Sequence, residues 1–443
     1  MKMLIELLIF LSTVLPLFHL FNALFARRKK LASAPGPGRP VSVLVPCYNE
    51  EDSVAVSVVG LLKTGYKNLE AIYINDGSVD NTFGRLNALL DLEEAPDILL
   101  GIGTVYRSRK HPGFWVIDKP NGGKSAALNA GIRLARADVV VTLDADSVVE
   151  QGALNIIDRA FCDENVVAAG GAIHIMQGYA PKHVMRGYSR VRKAVVALQM
   201  LEYLKGFYVY KLSLARQNAL AIISGAFGAF RKQILLDVGG FRRTLGEDID
   251  ITISIQRHIR YTKQKVIYLP EALCCTQCPE SWSDLKRQRI RWQKGFIDCA
   301  VHHRRFFLKT FLFRSLSFHF VVEALAVGTL SCLFTLITLA AAVVMMFAEP
   351  AAMPTFLMYH AVCIVISLTY GGAALGISAC YHRYPRGAWR QLLAAMLLDV
   401  LFYRYFTLLM FLGGLAAYFW GGSNAQQWNK AARCKQADFA PNM

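Results

Sequence analysis

From Val41 onward, short β-branched runs alternate with amphipathic stretches, and this alternation restricts the middle of the chain to very few folds. Residues 41–45, 71–74, 103–106, 139–143 and 166–170 read as strands, and 53–63, 80–90, 124–135 and 150–161 as the helices between them. Strand–helix alternation at this spacing predicts an α/β domain whose mostly parallel sheet is covered on both faces. Such sheets bind ligands beyond the carboxyl ends of their strands, so the residues following each strand are the ones that matter.

The two ends of the chain differ from this middle. Apolar residues make up 54% of the 443, and the excess concentrates at residues 3–25 and after residue 316. Residues 3–25 suffice to cross about 30 Å of hydrocarbon as a helix. The cluster Arg27-Arg28-Lys29-Lys30 follows at once. A signal peptide carries its charge before the apolar core, so a retained anchor is expected, with the cluster in the cytoplasm and the N-terminus outside. Ala34-Pro35-Gly36-Pro37-Gly38 then reads as a stiff linker. Residues 316–347, 356–380 and 392–420 are each long enough for a span, the first also readable as an interfacial helix plus a span. Arginines within 381–390 and Lys430, Arg433 and Lys435 all favour the cytoplasm. One plus three spans cannot satisfy both groups, whereas a re-entrant segment or one extra crossing can. The expected organisation is an anchor with its basic stop (1–30), a linker (31–40), a catalytic domain (41–280), interfacial helices (281–312), transmembrane helices (313–422) and a tail (423–443).

The formal net charge is +17. Nucleic-acid binding is one reading of such a charge, but without an RNA-recognition, zinc-finger or helix-turn-helix signature no nucleic-acid partner is expected. Anionic lipid headgroups and a nucleotide diphosphate account for the same charge. The ten cysteines lack regular spacing, and Cys274-Cys275-Thr276-Gln277-Cys278 has no second ligand pair at zinc-site distance. They read as buried thiols of a reducing, cytosol-facing domain.

Six short motifs carry the chemistry. Pro46-Cys47-Tyr48-Asn49-Glu50 follows the first strand and Asn75-Asp76-Gly77-Ser78 the second. Carboxylates there can accept hydrogen bonds from a base or ribose, although both motifs also read as helix-capping turns. Lys119-Pro120-Asn121-Gly122-Gly123-Lys124 precedes an alanine-rich helix. Its glycines let backbone N–H groups approach a phosphate and Lys124 adds charge, although the P-loop spacing is absent. Asp144-Ala145-Asp146 ends an apolar strand. Two carboxylates at that place can hold a magnesium or manganese ion against diphosphate oxygens, or else cap the next helix. Gly246-Glu247-Asp248 offers Asp248 as the single base that inverting transfer to an alcohol requires, or as a helix N-cap. Finally, Gln288-Arg289-Ile290-Arg291-Trp292 joins bidentate phosphate grips to a broad stacking face, a pairing also found on solvated helices.

These motifs, in this order over some 250 residues, resemble the membrane-embedded family 2 glycosyltransferases, which include cellulose, hyaluronan, chitin-oligosaccharide and poly-N-acetylglucosamine synthases. The likeness runs from the first apolar helix to Gln427-Trp428-Asn429-Lys430. It implies a GT-A fold, Rossmann-like, inserted between transmembrane helices of the inner (plasma) membrane. By position it places Tyr48, Glu50 and Asp76 around uridine, Lys124 near the diphosphate and Asp144 by the nucleotide. It makes Asp146 the metal ligand for Mg²⁺ or Mn²⁺, and Asp248 the catalytic base in a cluster with Glu247. Gln288, Arg289, Arg291 and Trp292 hold the diphosphate and the acceptor end, and Ser224-Gly225 lies under the acceptor sugar. Two departures concern which polymer is made: Gly-Glu-Asp stands where many relatives have Thr-Glu-Asp, and one amino-terminal span stands where several have two.

The resemblance implies processive, inverting transfer from a UDP-sugar to a growing β-linked polysaccharide that crosses the bilayer. UDP-N-acetylglucosamine is the first expected donor and UDP-glucose the second, with room for a small accessory membrane subunit. Transfer of one sugar to a lipid, as in ceramide glucosyltransferases, uses the same aspartates. A silent nucleotide-sugar sensor or assembly partner would be marked by loss of Asp146, Asp248 or the arginines, all of which are present. Asp399 and Arg404 lie in an apolar segment, where central charges pair or face a wet cavity.

Overall fold

The computed structural model describes residues 14–25, 36–98, 101–179, 187–322, 353–384 and 386–420. The first half of the expected anchor (residues 3–13), its basic stop, residues 31–35 of the linker, most of 316–347 and the tail lie outside them. The described residues group into two compact units. One lies within Arg28–Val196 and Leu220–Asp284, and the other within Met1–Arg27, Ala197–Ala219 and Leu285–Gly422.

The first unit is built on a ten-stranded sheet. Its strands are β1 (Val41–Cys47), β2 (Leu69–Asp76), β3 (Leu92–Glu94), β4 (Thr104–Ser108), β5 (Phe114–Lys119), β6 (Val139–Leu143), β7 (Ser147–Val149), β8 (Val166–Ile175), β9 (Phe227–Arg231) and β10 (Lys265–Thr276). They are ordered β3-β4-β5-β2-β1-β6-β9-β8-β10-β7. Every residue of β1, β6 and β8 is buried, as expected of strands covered on both faces. The helix Lys124–Leu134 packs closely because its contact face is small: a Cβ on Gly131 would lie 3.0 Å from Leu44 Cδ2 and 3.1 Å from Ile74 Cδ1.

The sheet is mixed, which corrects the expectation of a mostly parallel one. β5, β2, β1 and β6 form a parallel core, and β8 runs parallel to β10. The pairs β3–β4, β4–β5, β6–β9, β8–β9 and β7–β10 are antiparallel. Two causes are visible. β4 returns directly into β5 through a short loop, too short for a parallel crossover. That loop closes at Gly113, with φ +91°, where a Cβ would meet the Leu69 carbonyl oxygen at 2.7 Å. β9 then inserts between β6 and β8 against the direction of both.

The second unit is helical. Among the described residues, Ala361–Ala379 and Ala388–Phe419 are long and apolar enough to cross a membrane. Leu397, Leu401, Phe402 and Leu409 of the second stretch are exposed. It contains a π-turn at Asp399–Tyr403, and a second π-turn, Gly206–Tyr210, follows the helix Arg190–Lys205. Asp399, noted as a charge in an apolar segment, is ion-paired with Lys205. Asp399→Ala alone is expected to cost about 3–5 kcal/mol by leaving Lys205 uncompensated, and adding Lys205→Met to recover most of it. Thermal unfolding in detergent checks this; equal losses in the single and double variants would show that the pairing is energetically idle.

Candidate active site

The parallel core sends the ends of β1, β2, β5 and β6 to one edge of the sheet, and the loops there are laced to one another. Asn49, left-handed at φ +56°, donates its N–H to Ser78 Oγ (3.0 Å), and its Oδ1 accepts the N–H of Val79 (2.9 Å). The Glu50 N–H donates to Thr82 Oγ1 (2.7 Å), and the N–H of Asn81 to Glu51 Oε2 (3.1 Å). The motifs after β1 and β2 are thus one cross-braced structure carrying half-buried Tyr48 and buried Glu50 and Asp76.

Asp76 sits opposite Lys119 in the β2–β5 register, and the two side chains form a buried ion pair. Its carboxylate also accepts the N–H groups of Gly122 (3.0 Å) and Gly123 (2.7 Å). Those are the amides that the sequence offered to a phosphate. Asp76, brought to them by strand register, accepts both. Gly77 makes the approach feasible: at φ +69°, a Cβ there would lie 2.6 Å from the Asn121 nitrogen.

Lys124, at the start of its helix, joins two of the acidic clusters. Its Nζ is 2.7 Å from Asp144 Oδ1 and 3.0 Å from Glu247 Oε1. Burial disfavours the ammonium, but Asp144 and Glu247 outweigh it and hold the Lys124 pKa above the ordinary lysine value. Asp248 follows Glu247 in the first turn of the helix Glu247–His258, whose N-cap is Gly246. The helix N-terminus favours negative charge there. Asp248 Oδ2 accepts the N–H of Gly225 at 3.2 Å, and Oδ1 that of Ile249 at 2.9 Å. A Cβ on Gly225 would lie 3.1 Å from Lys124 Nζ and 3.5 Å from both Glu247 Oε1 and Asp248 Cβ. Asp144, Lys124, Glu247, Asp248 and the Ser224-Gly225 loop therefore converge.

Asp144 and Asp146 lie in the turn that leads from β6 into β7 rather than at a helix start. Asp146 is buried, and its Oδ1 accepts a hydrogen bond from Thr276 Oγ1 at 3.1 Å. Ser147 Oγ in turn donates to Thr276 Oγ1 at 2.9 Å. The two carboxylates of this turn, Asp146 oriented by a hydroxyl relay and Asp144 shared with Lys124, are hard oxygen donors of the kind that Mg²⁺ or Mn²⁺ takes. Neighbouring Cys274 and Cys275 are buried thiols, and burial pushes the pKa of each well up, which makes them inert.

Gln288, Arg289, Arg291 and Trp292 lie on the helix Trp282–His302, within the helical unit. Arg289 is buried: its Nη1 donates to Gln288 Oε1 (2.8 Å) and its Nη2 to Glu202 Oε2 (2.6 Å). The guanidinium stacks on Trp292, 4.3 Å from the ring centroid. Burial works against its charge, but Glu202, together with Tyr403 and Tyr203, more than compensates and raises the Arg289 pKa. Arg291 is partly exposed and Trp292 is 41% exposed. Sequence reasoning left Lys119, Thr276, Glu202 and Tyr403 without roles. An acid in an apolar helix was the available signal for Glu202; the others had none.

A family model described as glycosyltransferase like family 2 matches residues 37–295, more than half the chain. The chain is a family 2 glycosyltransferase. It is 30% identical over 259 residues to the poly-beta-1,6-N-acetyl-D-glucosamine synthase of Staphylococcus aureus, a match covering 58% of this chain and 54% of that protein. The Staphylococcus epidermidis synthase of the same name matches to the same extent. The match thus spans about half the length of these curated relatives. Among solved structures, the mannosyltransferase PcManGT from Pyrobaculum calidifontis, in complex with GDP-Man and Mn²⁺, aligns over 95% of this glycosyltransferase and 99% of its own chain. Its TM-score is 0.57 at 18% identity, and this likeness establishes a GT-A fold.

Proposed function

We propose that this glycosyltransferase polymerises a UDP-sugar, with inversion, into a β-linked exopolysaccharide and passes the chain across the membrane. The observation that carries this reading is the convergence on Lys124 of Asp144 and Glu247, with Asp248 alongside at Gly225. It supports the reading because Lys124 is a cation of the kind that meets a diphosphate and Asp248 a carboxylate of the kind that acts as a base. Tyr48, Glu50 and Asp76 hold the nucleoside, and Asp144 and Lys124 bind next to the diphosphate. Asp146 and Asp144 would hold Mg²⁺ or Mn²⁺, which supplies charge neutralisation for the departing nucleotide. Asp248 takes the proton of the acceptor hydroxyl as its oxygen bonds to the anomeric carbon, and the bond to UDP breaks with its electron pair on the diphosphate. Glu247 keeps Lys124 in place. Ser224 and Gly225 lie under the acceptor sugar, while Gln288, Arg291 and the exposed face of Trp292 receive the acceptor end.

N-acetylglucosamine is the favoured sugar because it is the one in the name of the Staphylococcus relatives, and glucose is next. The two apolar helices support a multi-pass enzyme of the plasma membrane. On this reading the sugar-transfer unit is cytoplasmic, and the bilayer and the growing polysaccharide are its partners. The test is purified enzyme with a panel of UDP-sugars and Mg²⁺ or Mn²⁺, measuring UDP release and product size. Long products from UDP-N-acetylglucosamine are expected. Single-sugar transfer to lipid would replace polymerisation with the glycolipid reading.

A further inference from the structure

The helical unit contains a polar network, in which buried Arg289 and Tyr403 meet on partly exposed Glu202, that the reaction above does not use. Glu202 Oε2 accepts two hydrogen bonds, one from Arg289 Nη2 at 2.6 Å and one from the Tyr403 hydroxyl. The three residues come from three separate elements: the helix Arg190–Lys205, the helix Trp282–His302 and the π-turn Asp399–Tyr403. One turn further along the first of these, Lys205 pairs with Asp399 at the opposite end of the same π-turn. A π-turn adds a residue to a helical turn, and such bulges frequently sit at functional sites. This one presents Asp399 and Tyr403 together to Lys205 and Glu202.

The network ends on an aromatic surface. Arg289 is 8% exposed and its guanidinium lies against the Trp292 ring, which remains 41% exposed. A guanidinium held at both amino groups has little freedom, so the ring stacked on it has little freedom as well. Were Arg289 loose, Trp292 would sample several rotamers, and a sugar stacking on it would bear the cost of ordering it.

We propose that Glu202 and Tyr403 are positioning residues: acting through Arg289, they hold the Trp292 ring in the orientation that an acceptor sugar stacks on. This inference rests on the reading of Trp292 as part of the acceptor site. It also assigns Arg289 a role apart from Arg291, since its guanidinium is occupied by Gln288, Glu202 and Trp292.

The test uses the full-length enzyme with the UDP-sugar it turns over and a short oligosaccharide of its own product as acceptor. Tyr403→Phe removes one hydroxyl and Glu202→Gln one charge. Each is expected to raise the acceptor KM about tenfold while changing the donor KM less than about twofold, and to shorten the product. Glu202→Asp is expected to recover part of the acceptor KM. Wild-type acceptor KM and product length in both variants would overturn the proposal, as would a proportionate rise in donor and acceptor KM. Asp248→Asn, assayed alongside, separates the two levels. Full activity in that variant refutes the reaction as read, whereas its inactivity beside wild-type-like Tyr403→Phe and Glu202→Gln refutes the positioning role alone.

Discussion

Asp248→Asn is expected to abolish sugar transfer while leaving UDP-sugar binding intact. The amide matches the carboxylate in shape, and its one oxygen can still accept the N–H of Gly225 at the cost of the bond from Ile249, so the loop should stay in place. What it cannot do is take a proton at neutral pH. General-base catalysis is typically worth about 10²- to 10⁴-fold, so turnover should fall by at least that lower figure. UDP release measures the loss, and calorimetric titration with the UDP-sugar measures retained binding. Near-normal turnover would move the base elsewhere, with Glu247 the next residue to replace. Glu247 is the weaker candidate because its carboxylate is tied to Lys124 at 3.0 Å.

The second large effect belongs to Asp146. Asp146→Asn keeps an oxygen for Thr276 Oγ1 but removes the charge that a hard divalent ion requires. Mn²⁺ affinity, read by electron paramagnetic resonance on the unreacted protein, is expected to fall at least about tenfold, in the range seen when a metal site loses a supporting group. Sugar transfer should fall with it. Undiminished Mn²⁺ binding would remove Asp146 from the metal site. Reduced binding with normal transfer would mean that the ion is dispensable for the chemistry.

The legible part of the fold was the part written in local periodicity. β1, β2, β6 and the first half of β8 are continuous apolar or β-branched runs, and they lie within a residue or two of where the pattern put them. β5 was missed because its apolar run is only four residues, Phe114–Ile117, before Asp118-Lys119 lead into the glycine loop. β7, β9 and β10 were missed because they are short, glycine-containing or interrupted by a proline, and their pairing depends on distant partners. The antiparallel direction of β9 has no local signature. Its sense follows from where the chain re-enters the sheet, which no window of residues records.

The chemistry divides in the same way. The sequence by itself determined which groups are available, and in what order: a carboxylate after each of three strands, a lysine at a helix start, an acidic first turn, and arginines beside a tryptophan. Family membership follows from that order, because residue type and spacing along the chain are local properties. Only the tertiary structure decided which charges neutralise which. Asp76 pairs with Lys119 and takes the glycine amides, Lys124 bridges Asp144 and Glu247, Asp399 pairs with Lys205, and Arg289 is locked between Glu202 and Trp292. The physical reason is range. Hydrophobic periodicity acts between residues a turn or a pleat apart, whereas an ion pair needs a few ångströms between atoms that the chain separates by tens to hundreds of residues.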